Sequence, residues 1–249
     1  MKYLILGPGG QGLFIMLGYL KKIEHQLKDV EEISGASAGA LLAFGLATGK
    51  TLDEILNFSI NIDIESHIKI QLKNLLKNFG FIDTVKIKET LIQIVGYNPR
   101  FKDLKIKLHI SAMCLNTSST VYFSADTHPD MYVVDAVCAS ISIPLIFIGY
   151  KYQDGIYIDG GTLEEVPALP FLHKNADDVF CIQIKVQKPQ FEKITDIRIY
   201  IKNLITAGFL SRINYPQIKR ILLECDMFDL LNAKLSVEDK LRLFMLGQK

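Results

Sequence analysis

The four cysteines, Cys114, Cys138, Cys181 and Cys225, are far apart and form no CxxC pair. That excludes a sequence-local zinc site, and they read as free thiols of a reducing compartment. No apolar run reaches the ~18 residues that a membrane-spanning helix needs. The apolar stretch within residues 1–22 has the look of a signal peptide, but Pro8 and glycines 7, 9, 10 and 12 break it. Net charge is also lacking: 28 basic residues oppose 27 acidic ones. A near-neutral chain is a poor obligatory partner for nucleic acid. These absences together predict a cytoplasmic protein, at most peripheral to membranes. No internal repeat, low-complexity segment or linker divides the chain.

What is present is apolar surface. Of 249 residues, 49% are hydrophobic, enough for one domain over residues 1–249 to build its core without staples. The motifs fall in about residues 2–167, and the stretch from about 190 to 249 reads as helical. "KYLIL", "VEEISG", "KLHISAMCL", "TVYFSAD", "IYIDGG" and "VFCIQIK" are strand-like. "QGLFIMLGYLKKIEHQL", "SAGALLAFGLA" and "VVDAVCASISI" have helical spacing or composition. Gly49 marks a helix end, Thr51 with Glu54 a capping box, and Ser236 a cap of the last helix. The segment from Thr51 to Gly96 reads as mostly amphipathic helix. Strands alternating with helices imply an α/β layered fold around a mainly parallel sheet.

Three glycine-bearing motifs carry chemistry. "GPGGQG", residues 7–12, matches G-x-G-x-x-G through Gly7, Gly9 and Gly12, between a strand and a helix. A dinucleotide-binding unit would place an acidic residue at the end of its second strand to hold a ribose. Glu31 and Glu32 lie at the right distance but precede the strand residue Ile33 instead of ending the strand, and "GASAG", Gly35 to Gly39, ends it. G-x-S-x-G between strand and helix is the setting of a nucleophile elbow, which lifts the Ser37 hydroxyl out of the sheet on a sharp turn. The competing reading is a small-residue helix start. With a serine in the ribose position, the N–H groups of the first loop are suited to an oxyanion. "DGG", residues 159–161, is by itself a turn signal.

In this order, with "VVDAVCASISIPLIF" between the last two, the motifs make the chain from about Lys2 to Pro167 resemble the patatin-like phospholipase family. The resemblance implies a three-layer α/β/α fold and hydrolysis of acyl esters of lipids or phospholipids through an acyl-enzyme. It implies a dyad of Ser37 as nucleophile and Asp159 as base. Gly160 and Gly161 would bring the carboxylate close to the serine. It implies no metal and no organic cofactor, although some family members need calcium or a host activator. Two departures stand out. Pro8 replaces the middle of three glycines, and Gln11 replaces a Lys or Arg. Proline has no N–H to donate, so the oxyanion donors fall to Gly9 and Gly10. Three alternatives remain open here: a Ser–His–Asp hydrolase using His173, a regulatory or binding protein on the same scaffold, and a dinucleotide-binding oxidoreductase. For membrane contact, the candidate is residues 52–81, with Lys69, Lys73 and Lys77 beside Phe79 and Phe81; the ordinary reading is a surface helix.

Overall fold

The computed structural model describes residues 1–61, 80–186, 193–209, 212–225 and 235–249. Among them an eight-stranded sheet runs in the order β10-β9-β1-β2-β4-β8-β7, with β5 paired to β4. The strands are β1 (Tyr3–Leu6), β2 (Glu32–Gly35), β4 (Lys107–Cys114), β5 (Ser119–Phe123), β7 (Tyr150–Tyr152), β8 (Gly155–Asp159), β9 (Val179–Val186) and β10 (Arg220–Cys225). β3 (Gly80–Ile82) and β6 (Leu145–Phe147) pair separately as a parallel ribbon. The sheet core is parallel from β10 through β9, β1 and β2 to β4; β5, β8 and β7 are added antiparallel.

The helices are α1 (Leu13–Lys22), α2 (Ala38–Ala47), α3 (Leu52–Asn61), α4 (Val85–Val95), α5 (Val133–Ser140), α6 (Ile197–Phe209) and α7 (Val237–Gly247). They cover both sides of the sheet, the expected layered arrangement. β1 is central because Leu4, Ile5 and Leu6 are fully buried, the continuous apolar run that a parallel strand covered on both faces requires. α2 is apolar on all sides for the same reason: Ala38, Ala40, Leu42, Ala43, Phe44 and Ala47 are all buried.

The local signals hold. Glu54 accepts the Thr51 N–H at 2.8 Å and donates its own N–H to Thr51 Oγ1 at 3.2 Å. Ser236 Oγ accepts the Asp239 N–H at 3.1 Å and caps α7. Gly49, just past α2, takes φ +82°, which glycine adopts without strain. All four cysteines are buried, and none forms a disulfide.

Two expectations fail. Residues from Glu192 onward are not all helical, because Arg220–Cys225 is the edge strand β10. Its partner β9 lies far back along the chain, and its "RILLEC" run does not alternate strictly. The helical reading of Thr51–Gly96 likewise misses β3, whose partner β6 is more than 60 residues away. Of the expected membrane-contact segment, residues 62–79, including Lys69, Lys73, Lys77 and Phe79, lie outside the described residues.

Candidate active site

The parallel register Leu6↔Gly35 brings the ends of β1 and β2 to one sheet edge, and each runs straight into a glycine motif. Ser37 follows β2 with φ 55° and ψ −122°, and α2 starts at the next residue. Such a conformation in a non-glycine residue costs on the order of 1–3 kcal/mol and persists only where its surroundings enforce it. They do. The Ser37 N–H donates to Ser140 Oγ at 2.9 Å, and that hydroxyl donates to the Ser111 carbonyl at 2.6 Å. α2 presses on the end of β1 so closely that a Cβ on Gly39 would lie 2.1 Å from the Leu6 carbonyl oxygen. The small residues of "GASAG" are therefore a steric requirement of the turn.

Asp159 ends β8, opposite Ala112 of β4, and donates its N–H to the Ser142 carbonyl at 2.9 Å. It is 1% exposed, and Ser37 is 8% exposed. Asp159 Oδ1 accepts the Gly161 N–H at 2.7 Å. Burial pushes the carboxyl pKa up to about 6; the Ser37 hydroxyl, the Gly161 N–H and the Arg212 charge act against that rise. The Ser37 hydroxyl acts on the carboxyl, and Asp159 Oδ2 is buried with no partner among the described residues. Ser111 Oγ and Thr162 Oγ1 are buried in the same neighbourhood, also without a partner among the described residues. Unsatisfied buried polar atoms are uncommon, and their concentration here marks a place built to meet a polar group.

Gly7 donates its N–H to the Ile182 carbonyl at 2.9 Å and so pins the start of the first loop to β9. Gly9 takes φ −172° and ψ 6°, and Gly10 at φ +50° opens a short 3-10 turn, Gly10–Gly12, that leads into α1. The Gly9 and Gly10 N–H groups precede or open that turn, where no intrahelical acceptor exists. The loop abuts the "DGG" turn: a Cβ on Gly161 would lie 2.6 Å from Pro8 Cβ, and one on Gly160 2.2 Å from the Ser111 carbonyl oxygen. Pro8 thus packs against the turn that carries Asp159.

The other candidates lie elsewhere. Glu32 Oε2 pairs with His109 Nε2 at 3.0 Å, and Glu32 Oε1 accepts from Lys174 Nζ at 2.9 Å. Glu32 is therefore engaged and holds no ribose position. Burial lowers the His109 pKa despite the carboxylate. His173 lines a cavity of about 330 Å³ with Glu32, Lys107 and His109, at the starts of β2 and β4, the end of the sheet opposite Ser37. The His128 ring packs edge-on against Phe123 at 4.9 Å. Among the described residues, no cluster of three or more His, Cys, Asp or Glu is arranged to hold a metal ion.

Ser140 and Arg212 are the site neighbours that the motifs do not reveal. Ser140 lies near the end of the "VVDAVCASISI" helix, where the sequence gives it no role of its own. Arg212 carries no local signal at all, since it reaches the turn only through tertiary structure.

The model of the patatin-like phospholipase family matches residues 4–172. An uncharacterized protein of Acanthamoeba polyphaga mimivirus is 31% identical over 182 residues, covering 69% of this chain and 61% of its own. A cGAMP-activated phospholipase of Escherichia coli (strain TW11681) is 26% identical over 224 residues, covering 81% and 60%. The chain thus spans about three fifths of the length of these relatives. In fold it is similar to the crystal structure of VipD from Legionella pneumophila, with TM-score 0.68, 16% identity, and coverage of 99% of this chain and 65% of that one. The match runs from β1 through the elbow and beyond the Asp159 turn, and so the chain belongs to the patatin-like phospholipase family.

Proposed function

We propose that this chain is a lipid acyl hydrolase of the phospholipase A or lysophospholipase type, working through a Ser37–Asp159 dyad. The carrying observation is the buried Asp159 carboxyl beside a serine held in a strained elbow. Asp159 takes the Ser37 proton as Oγ attacks the ester carbonyl. The oxyanion forms against the Gly9 and Gly10 N–H groups. The alcohol or lysolipid leaves with the proton from Asp159. Water, deprotonated by the same carboxylate, then attacks the acyl-enzyme, and the fatty acid departs with Ser37 restored. Fatty-acid release from phospholipid vesicles, with a fluorophosphonate probe mapped to Ser37 by mass spectrometry, tests this. Fatty-acid release without probe at Ser37, or probe at Ser37 without ester hydrolysis, removes the reading.

Burial gives the base a useful pKa. At about 6 the carboxyl is close to nine-tenths ionised at pH 7 and still a far better proton acceptor than an exposed aspartate. The kcat/KM for a soluble ester is therefore expected to rise with pH through about 6 and level off above 7. A limb at the ordinary aspartate value near 4 would show that the base is solvated during turnover.

A lipid substrate also requires contact with its surface. No described helix is long and apolar enough to cross a membrane. α6 instead exposes Ile197, Tyr200 and Leu204, at i, i+3 and i+7, while Thr206 is buried and the helix packs near the Gly160–Thr162 turn. We assign the lipid contact to this apolar stripe beside the site. The double change Tyr200→Glu and Leu204→Glu is expected to lower vesicle hydrolysis about tenfold, from two lost apolar anchors. A soluble short-chain ester should be hydrolysed within about twofold of the unmodified rate. Equal losses on both substrates would place the stripe's role in the fold.

A further inference from the structure

The loop of residues 7–12 carries no charge, and the charged side chain that acts on Asp159 comes from far along the chain. Arg212 Nη1 donates to the Gly161 carbonyl at 3.3 Å. The same Gly161 donates its N–H to Asp159 Oδ1, and its Cα packs against Pro8 of the loop. One residue thus connects the guanidinium, the carboxylate and the loop.

The segment around Arg212 is fixed on the backbone. The Ile213 N–H donates to the Leu163 carbonyl at 2.8 Å, and the Glu165 N–H donates to the Ile213 carbonyl at 3.0 Å, forming a bridge directly after the "DGG" turn. Two residues on, the Tyr215 hydroxyl donates to the buried Glu164 carboxyl, which also accepts from Tyr122. Arg220 closes the far side by pairing with Glu165 at 2.7 Å. A guanidinium cannot shed its proton in a protein, so a charge held this way is permanent.

We propose that Arg212 is a positioning residue of this site. Its guanidinium tethers the Gly161 carbonyl, aims the Asp159 carboxylate at Ser37, and supplies the fixed positive charge that residues 7–12 lack. This rests on the dyad proposed above. Arg212 itself stands among Asp159, Glu165 and Arg220. From β4 and the end of α5, the neighbours of the Asp159 turn are Ser111, Ser140 and Ser142, and the loop contributes Pro8. None of these carries a charge; against burial stand the Ser37 hydroxyl, the Gly161 N–H and, as the charged group, Arg212. A cation next to a carboxyl favours its ionised form by about one to three pH units.

The test is the rate of fluorophosphonate labelling at Ser37 against pH, in the unmodified chain, Arg212→Gln, Arg212→Met and Arg212→Lys. The probe reads activation of the serine without involving a lipid surface. Gln keeps a donor for Gly161 without the charge; Met keeps the stem alone. Both should move the acid limb up by about one pH unit, so labelling at pH 5 falls about tenfold relative to its value at pH 8. Arg212→Lys keeps the charge and should leave the limb near its original pH. A limb unmoved in Gln and Met overturns the proposal, as does loss of fold in both by circular dichroism, which would make Arg212 a structural residue. No labelling at Ser37 in the unmodified chain is a different failure: it removes the dyad, and this role goes with it.

Discussion

Ser37→Ala is expected to lower the hydrolysis of acyl esters by at least about a thousandfold, the scale on which loss of a nucleophile is felt. Its thermal transition should stay within a few degrees of the unmodified protein. The two halves of that expectation have separate causes. The elbow is held by the Ser37 N–H on Ser140 and by the close approach of Gly39 to Leu6, and alanine keeps both. What disappears is one hydroxyl. Ser37→Gly extends the test: glycine adopts φ 55° without the penalty a side chain incurs, so this variant should be equally inactive and no less stable than the alanine. The pair separates chemistry from strain. If the strained backbone alone served the fold, both variants would melt together with their activity. An alanine variant that retains more than a small fraction of turnover, free of contaminating esterase, would take Ser37 out of the mechanism.

Short-range features of this chain were legible because their physics is short-range. A serine between small residues after a strand, a capping box at Thr51, and a serine cap at 236 are each decided within a few residues. The central strands could be read because burial on both faces leaves a continuous apolar run. β10 and β3 were not legible, since each is defined by a partner distant in sequence, and an apolar run of six residues or fewer fits either period. The same limit applies to the site. Ser37 and Asp159 announce themselves through glycines that the backbone needs beside them. Ser140 and Arg212 need no special backbone, so nothing local marks them. Pro8 is a milder case. The sequence reads it as a missing N–H in the loop, whereas the structure also gives its ring a contact, Gly161.

Asp159→Asn should be nearly as damaging as Ser37→Ala, and comparison with the histidines makes that informative. In a dyad the carboxylate itself accepts the proton; in a triad it would only orient an imidazole. Asparagine keeps the size of the side chain and an oxygen to accept the Gly161 N–H, but it cannot take up the proton of Ser37. Turnover is therefore expected to fall by about three orders of magnitude or more. The limb near pH 6 should vanish from whatever activity remains, because the group that titrates there is gone. Stability should not suffer, since a buried carboxyl is replaced by a neutral amide of the same shape. The histidines forecast the opposite. His109 is tied to Glu32 at the start of β2, His128 packs against Phe123, and His173 lines the cavity at the far end of the sheet. Replacing each by alanine should change turnover per folded molecule by less than about tenfold, or ~1.4 kcal/mol of barrier. His109→Ala carries an added cost in stability, because it leaves the buried side of Glu32 without its partner, so its rate must be normalised to the folded fraction. A histidine variant that keeps its circular dichroism yet loses turnover as completely as Ser37→Ala would replace the dyad with a triad.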